Sequence, residues 1–198
     1  SFQIASLRLS ATSLLISNTS TNYNLTINAA EDSTLNAIGN TQALGSLTIG
    51  RSAGIGTPTF TGNGNITITG NLTISANIVL SPGVNTISLG GNWINSGTFT
   101  CGTSTALMNG AAAQSINAGA SSFYNLTISN TTAPVTLSAD LTLAIAGTLT
   151  INTNAVLATA GYTLTVPSNI TNSGLITTSG TGANLLITPA SVGSVTFS

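Results

Sequence analysis

Residues 65–100 read NITITGNLTISANIVLSPGVNTISLGGNWINSGTFT, and residues 142–177 read TLAIAGTLTINTNAVLATAGYTLTVPSNITNSGLIT. The two stretches align without a gap at an offset of 77, and 14 of the 36 paired positions are identical. A Thr/Ser/Asn/Gly-rich composition alone would give about four identities. The matches include Gly70/Gly147, Leu72-Thr73-Ile74 with Leu149-Thr150-Ile151, and Asn95-Ser96-Gly97 with Asn172-Ser173-Gly174. Internal repetition therefore comes first, and it points to a repeat architecture before any compact globular fold.

A second self-match runs outward from this one. Tyr23-Asn24-Leu25-Thr26-Ile27 returns as Tyr124-Asn125-Leu126-Thr127-Ile128, 101 residues later. Thr34-Leu35 and Leu47-Thr48-Ile49 return 102 residues later, at Thr136-Leu137 and Leu149-Thr150-Ile151. Alternation of period two dominates throughout, and no segment sustains a helical pattern of apolar residues. Even AAAQSINAG, around Ser115, reads as strand and turn. The strand triplets centre on Thr26, Thr48, Thr67, Ser88, Leu107, Thr127, Thr150 and Leu186, with a further strand at Leu164-Thr165-Val166.

The expected fold is all-β: a single parallel β-helix, or β-solenoid, wound right-handed in nine or ten rungs of roughly 20 residues. One domain spans 1–198, with 1–22 as an N-terminal rung or assembly strand, 23–190 as the repeat body and 191–198 as a C-terminal strand. In Asn-Leu-Thr-Ile the aliphatic residues face one way and Asn and Thr the other. Stacking then gives an aliphatic ladder inside and a Thr/Asn/Ser ladder outside. Gly70, Gly90, Gly91, Gly97, Gly147 and Gly174 mark the corners. On this reading, duplicated positions occupy equivalent places on successive turns.

The order FYNLTI, then GYTLTV, then NITNSG resembles the repeat of large secreted bacterial and archaeal adhesin-like surface proteins. It is carried here by Phe123 to Leu126, Gly161 to Val166 and Asn169 to Gly174, with a second copy at Asn92 to Thr98. The resemblance covers roughly residues 23–190 and implies parallel β-helical stalks at a cell surface. Residues 1–22 fit it poorly.

Composition narrows the chemistry. Charged residues are 3% of the chain, against about 25% in ordinary domains. They are Arg8, Glu31, Asp32, Arg51 and Asp140, with no Lys and no His, for a net charge of −1. That offers no footprint for nucleic acid, and no apolar run reaches the ~18 residues of a membrane span. The N-terminal SFQIASLRLSATSLLIS lacks the continuous apolar segment of a signal peptide, so secretion implies a leader already removed. Cys101, the one cysteine, excludes an intrachain disulfide and reads as a small buried hydrophobe.

Pectate-lyase-like enzymes also use β-helices, but their catalysis needs carboxylates converging with a base or a metal. Here Asp140 stands alone and Glu31-Asp32 are neighbours, which reads as turn acids rather than a Ca²⁺ site. Without His there is no triad base and no His zinc ligand. The chain is expected to be no enzyme and to hold no cofactor or metal. Thr67/Thr69, Thr148/Thr150 and Thr163/Thr165 are similar to ice-binding pairs, but interruptions at Ser75, Ser88 and Asn152 favour structural Thr ladders. Trp93, aligned with Ile170, reads as a packing residue.

Seven Asn begin Asn-X-Ser/Thr sequons, namely Asn18, Asn24, Asn65, Asn71, Asn125, Asn130 and Asn169. On an extracellular protein these are N-glycosylation acceptors. The ends carry Phe2, Ile4, Leu7 and Leu9, then Val192, Val195 and Phe197, with little charge to protect a strand edge. The expected function is a secreted structural subunit that stacks head to tail into a filament or surface fibre, its main partner another copy of itself. The alternative is the stalk or binding segment of a larger adhesin that contacts carbohydrate or another cell.

Overall fold

The structure is a computed structural model that describes residues 14–15, 23–29, 33–36, 43–51, 57–62, 64–166, 169–179, 181, 184–187 and 195–197. These form an all-β solenoid of parallel strands, without a helix, with successive turns about 21 residues apart. Every strand pair among the described residues is parallel. Parallel neighbours need a crossover between them, and here the crossover is the rest of the turn.

Each turn visits three faces. The first face stacks Ile66–Ile68, Thr86–Leu89, Thr105–Met108, the stretches 125–128 and 148–151, and then Asn169–Asn172 and Val195–Phe197. One column of paired residues on it runs Leu44, Ile68, Leu89, Met108, Ile128, Ile151, Asn172, Phe197, and Tyr23 pairs with Leu44 before it. The second face stacks 25–29, 47–51, Leu72–Ile74, Trp93–Asn95, Gln114–Asn117, Val135–Leu137, Val156–Ala158 and Leu175–Thr177. The third runs from Leu14–Leu15 through Ser33–Asn36, Thr59–Gly62 and Val79–Ser81 to Thr98–Phe99. It resumes with 141–142, Thr163–Val166 and Asn184–Ile187.

Alternation decides what goes inside. On the first face Ile66, Ile87, Ala106, Leu126, Leu149 and Ile170 form one buried column, and Ile68, Leu89, Met108, Ile128 and Ile151 form the next. Thr67, Ser88, Leu107, Thr127, Thr150 and Thr171 lie between them and face out. Fully burying each aliphatic chain contributes roughly 1.5–3 kcal/mol, and the columns make the core continuous along the axis.

The duplicated stretches do not occupy equivalent places. Leu72 leads up the second face through Trp93 and Ile116 to Leu137, which is three turns. Its counterpart Leu149 lies beyond Leu137, on the first face, paired with Leu126 and Ile170. In the same way Val79 is on the third face and Val156 on the second, while Thr86–Leu89 is on the first and Thr163–Val166 on the third. An offset of 77 is not a whole number of turns, so each copy is rotated by one face. The expectation of equivalent places is corrected accordingly.

Local conformation nevertheless follows local sequence. Asn77 and its counterpart Asn154 are both left-handed, with φ of 60° and 63°, a conformation Asn tolerates better than most residues. A Cβ on Gly97 would meet the Ser75 and Ile78 carbonyl oxygens below it, and one on Gly174 those of Asn152 and Ala155. The tight Asn-Ser-Gly corner is the same object in both copies, set over different faces.

The third face changes hands between Phe99 and Leu141. The intervening residues 118–122 form no strand, and Ser121 Oγ accepts the Phe99 N–H at 2.9 Å. Asn95 Nδ2 donates to the Ala118 carbonyl at 2.8 Å and to Ser121 Oγ at 3.2 Å, while its Oδ1 accepts the Gly97 N–H at 2.9 Å. Behind this joint Trp93, Phe99 and Phe123 fill the interior. Trp93 meets each Phe edge-on, with ring centroids 4.8 Å apart in both pairs.

Candidate functional surface

Side-chain amides at the corners link turn to turn. The Thr86 N–H donates to Asn65 Oδ1, the Asn92 N–H to Asn71 Oδ1 and the Ser115 N–H to Asn92 Oδ1, each at 2.8 Å. Below them the Asn71 N–H donates to Ser46 Oγ at 3.0 Å. The second-face corner thus carries a column Ser46, Asn71, Asn92, Ser115 in which each side-chain oxygen accepts the next backbone N–H. Such bonds satisfy strand-entry donors that lie outside the backbone ladder.

Asp140 belongs to the same device. Its Oδ1 accepts the Thr163 N–H at 2.8 Å, one turn on. An acid here does the corner work of an Asn, with charge assistance. Glu31 and Asp32 lie outside the described residues. Among the described residues no three acid, His or Cys side chains group closely enough to hold a metal ion.

Among the described residues three amides are buried, Asn95, Gln114 and Asn130, and the two Asn depart from the expectation that Asn faces out. Asn95 occupies an inward position of Trp93-Ile94-Asn95 and caps the third-face joint. Gln114 Nε2 donates to the Leu89 and Gly91 carbonyls at 2.8 and 2.7 Å, and its Oε1 accepts the Gly110 N–H at 2.8 Å. Asn130 Nδ2 donates to the Ala112 carbonyl at 2.6 Å and to Gln114 Oε1 at 3.2 Å; its Oδ1 accepts the Thr132 and Ala133 N–H groups. Gln114 and Asn130 together clamp the wide loops 109–113 and 129–134 on neighbouring turns. For Asn95 and Gln114 the signal was present in the sequence, since both stand in the apolar phase of an alternating strand. Among the described residues, the buried Trp93 Nε1 and Thr159 Oγ1 have no hydrogen-bond partner.

The sequons separate by environment. Asn65 and Asn71 are exposed, Asn125 and Asn169 are half-buried, and Asn130 is 1% exposed. Asn18 lies outside the described residues, as does the side chain of Asn24. Asn65, Asn125 and Asn169 share one outward column of the first face, with Thr86, Thr105 and Thr148 between them.

The Thr pairs do not form one array. Thr67 and Thr150 belong to a first-face column interrupted by Ser88 and Leu107, whereas Thr163 and Thr165 are on the third face. Trp93 is buried in the aromatic cluster, so it packs the core and offers no platform. Cys101 is half-buried against the core at the corner after Phe99, and burial pushes its thiol pKa up. Of the expected assembly residues, Phe2, Ile4, Leu7, Leu9 and Val192 lie outside the described residues. Val195 and Phe197 lie in the strand that pairs with Asn169–Asn172. No helix of the described chain is long and apolar enough to cross a membrane.

Comparison with protein-family models, with curated proteins and with solved structures gives no match.

Proposed function

We propose that this chain is a structural element of an extracellular filament or surface fibre, extended by head-to-tail stacking of solenoid ends, with exchange of terminal strands strengthening the joint. The observation that carries this reading is the single parallel column that pairs residue to residue from Tyr23 to Phe197. It gives the chain one axis, with hydrogen bonds aligned along it. A coil of this kind grows by one more turn, and a second copy presenting the same register supplies that turn. A surface of hydroxyls, amides and very few charges presents little repulsion to that approach.

The role is mechanical rather than catalytic, as its support lies in the scaffold: the corner amides, the buried clamps and Asp140 are all engaged in holding turns together. The resemblance to adhesin-like repeats supports a cell-surface setting. Electron microscopy of the isolated 198-residue chain tests the proposal. Filaments support it; monomers that bind glycans on an array support the stalk of a larger adhesin instead.

A further inference from the structure

We infer that Asn65 and Asn71 are N-glycan acceptors that the folded solenoid accommodates, and that Asn130 is a sequon the fold forbids. This rests on the extracellular reading above and adds to it the sites and the class of modification, an oligosaccharide in N-glycosidic linkage.

The distinction lies in which amide atom the fold uses. N-glycosylation replaces one hydrogen on Nδ2 with a sugar carbon and leaves Oδ1 a carbonyl acceptor; the sugar's activated leaving group departs with the bonding electrons of its old anomeric bond, and the displaced Nδ2 proton is lost to base. At Asn65 and Asn71 the structural bond is made by Oδ1, to the N–H of Thr86 and of Asn92. Both residues are exposed, and neither Nδ2 donates to another described residue. A glycan there costs the fold no hydrogen bond.

Asn130 is built the opposite way. Its Nδ2 spends both hydrogens, on the Ala112 carbonyl and Gln114 Oε1, inside a corner that leaves it 1% exposed. A sugar on that nitrogen removes one buried bond and needs space that the 109–113 loop already fills. Asn125 is intermediate, because its Nδ2 donates to Thr105 Oγ1 at 3.4 Å and it is half-buried.

The placement has a use. Asn65 and Asn71 flank the strand Ile66–Ile68, one on the first face and one at the corner leading to the second. Glycans there stand off the sides of the coil, not its ends. They hinder side-by-side contact of coils that carry almost no charge, while axial stacking stays open.

The test is secretion of the full chain from a eukaryotic host that glycosylates sequons before folding. The protease-resistant folded fraction is then denatured, cut with chymotrypsin (two Arg make trypsin uninformative) and mapped by glycopeptide mass spectrometry. The expected result is glycan on Asn65 and Asn71 and an unmodified Asn130 peptide. Glycan on Asn130 in the folded fraction overturns the inference, as do bare Asn65 and Asn71. Because the host imposes export, the outcome does not depend on where the chain natively resides. The extracellular reading fails separately, if native material proves to be intracellular.

Discussion

Leu72 and Leu149, matched residues of the duplicated stretch, lie on different faces of the solenoid: Leu72 is paired with Leu47 and Trp93, and Leu149 with Leu126 and Ile170. The repeat is therefore a repeat of strand and corner, not of the turn. A strand-corner unit of this composition fits any of the three faces, because each face asks for the same thing: aliphatic residues inward and hydroxyl or amide outward. Between Phe99 and Leu141 the third face lacks a strand at residues 118–122, and Asn95 and Ser121 supply hydrogen bonds there.

Paired cysteines read this rotation directly. In a Cys101→Ser background, Thr127→Cys with Thr150→Cys joins adjacent turns of one column. Strand neighbours lie ~4.8 Å apart, inside the Cα range that a disulfide accepts. This pair should oxidise readily. Thr73→Cys with Thr150→Cys, matched by the repeat but placed on different faces, should not cross-link within a chain. Non-reducing mass spectrometry distinguishes them.

Gly97 tests the tight corner. Its Cβ position is occupied by carbonyl oxygens of the turn below, which belong to backbone and cannot swing aside. Gly97→Ala should destabilise by about 3 kcal/mol, at the upper end of overpacking costs. Gly83 has φ of 68° but open space around its Cβ position, so Gly83→Ala should cost only about 1 kcal/mol for the left-handed conformation. Denaturant unfolding of the two variants gives the comparison.

Asn95→Ala removes three hydrogen bonds at the third-face joint and leaves the Gly97 N–H and the Ala118 carbonyl without their partner. Each buried group left unsatisfied costs about 1–3 kcal/mol, so a loss of about 3 kcal/mol is expected. Replacement of the half-buried Asn117 on the next turn of the same face, whose Oδ1 accepts a single N–H from Gly119 at 2.9 Å, should cost only about 1 kcal/mol. Thermal or urea unfolding measures both.

Cys101 gives a pH dependence. Burial raises its folded thiol pKa, so the folded chain keeps the thiol proton to higher pH than the unfolded chain. Below the ordinary thiol range both states hold the proton and nothing changes. As pH rises from that range through the raised folded value, the unfolded chain ionises first and stability falls. The wild-type minus Cys101→Ser difference in unfolding free energy should therefore be flat at acidic and neutral pH and decline only in alkali.

Period, strand type and the inside-outside sorting were legible because alternation is a property of each strand by itself. The columns were not. Thr67, Ser88, Leu107, Thr127 and Thr150 do form one first-face column, as the spacing of triplet centres suggested. Thr26 and Thr48, however, belong to the second face and Leu186 to the third. With all three faces sharing one residue grammar, the face a strand joins is set by corner lengths, such as the two-residue Ser96-Gly97 against the longer 100–104. Those lengths carry little compositional signal. The amides split the same way: Asn95 and Gln114 are readable as inward from their phase in the strand, whereas Asn130 sits in a loop where alternation gives no phase.

The most direct test of head-to-tail assembly is cryo-electron microscopy of the isolated chain at assembling concentration. Head-to-tail stacking predicts filaments in which the solenoid axis lies along the filament and the rise per subunit is a whole multiple of ~4.8 Å, about 43 Å for nine strands. Filaments built from coils lying across the axis, or a solution of monomers at every concentration, would contradict it.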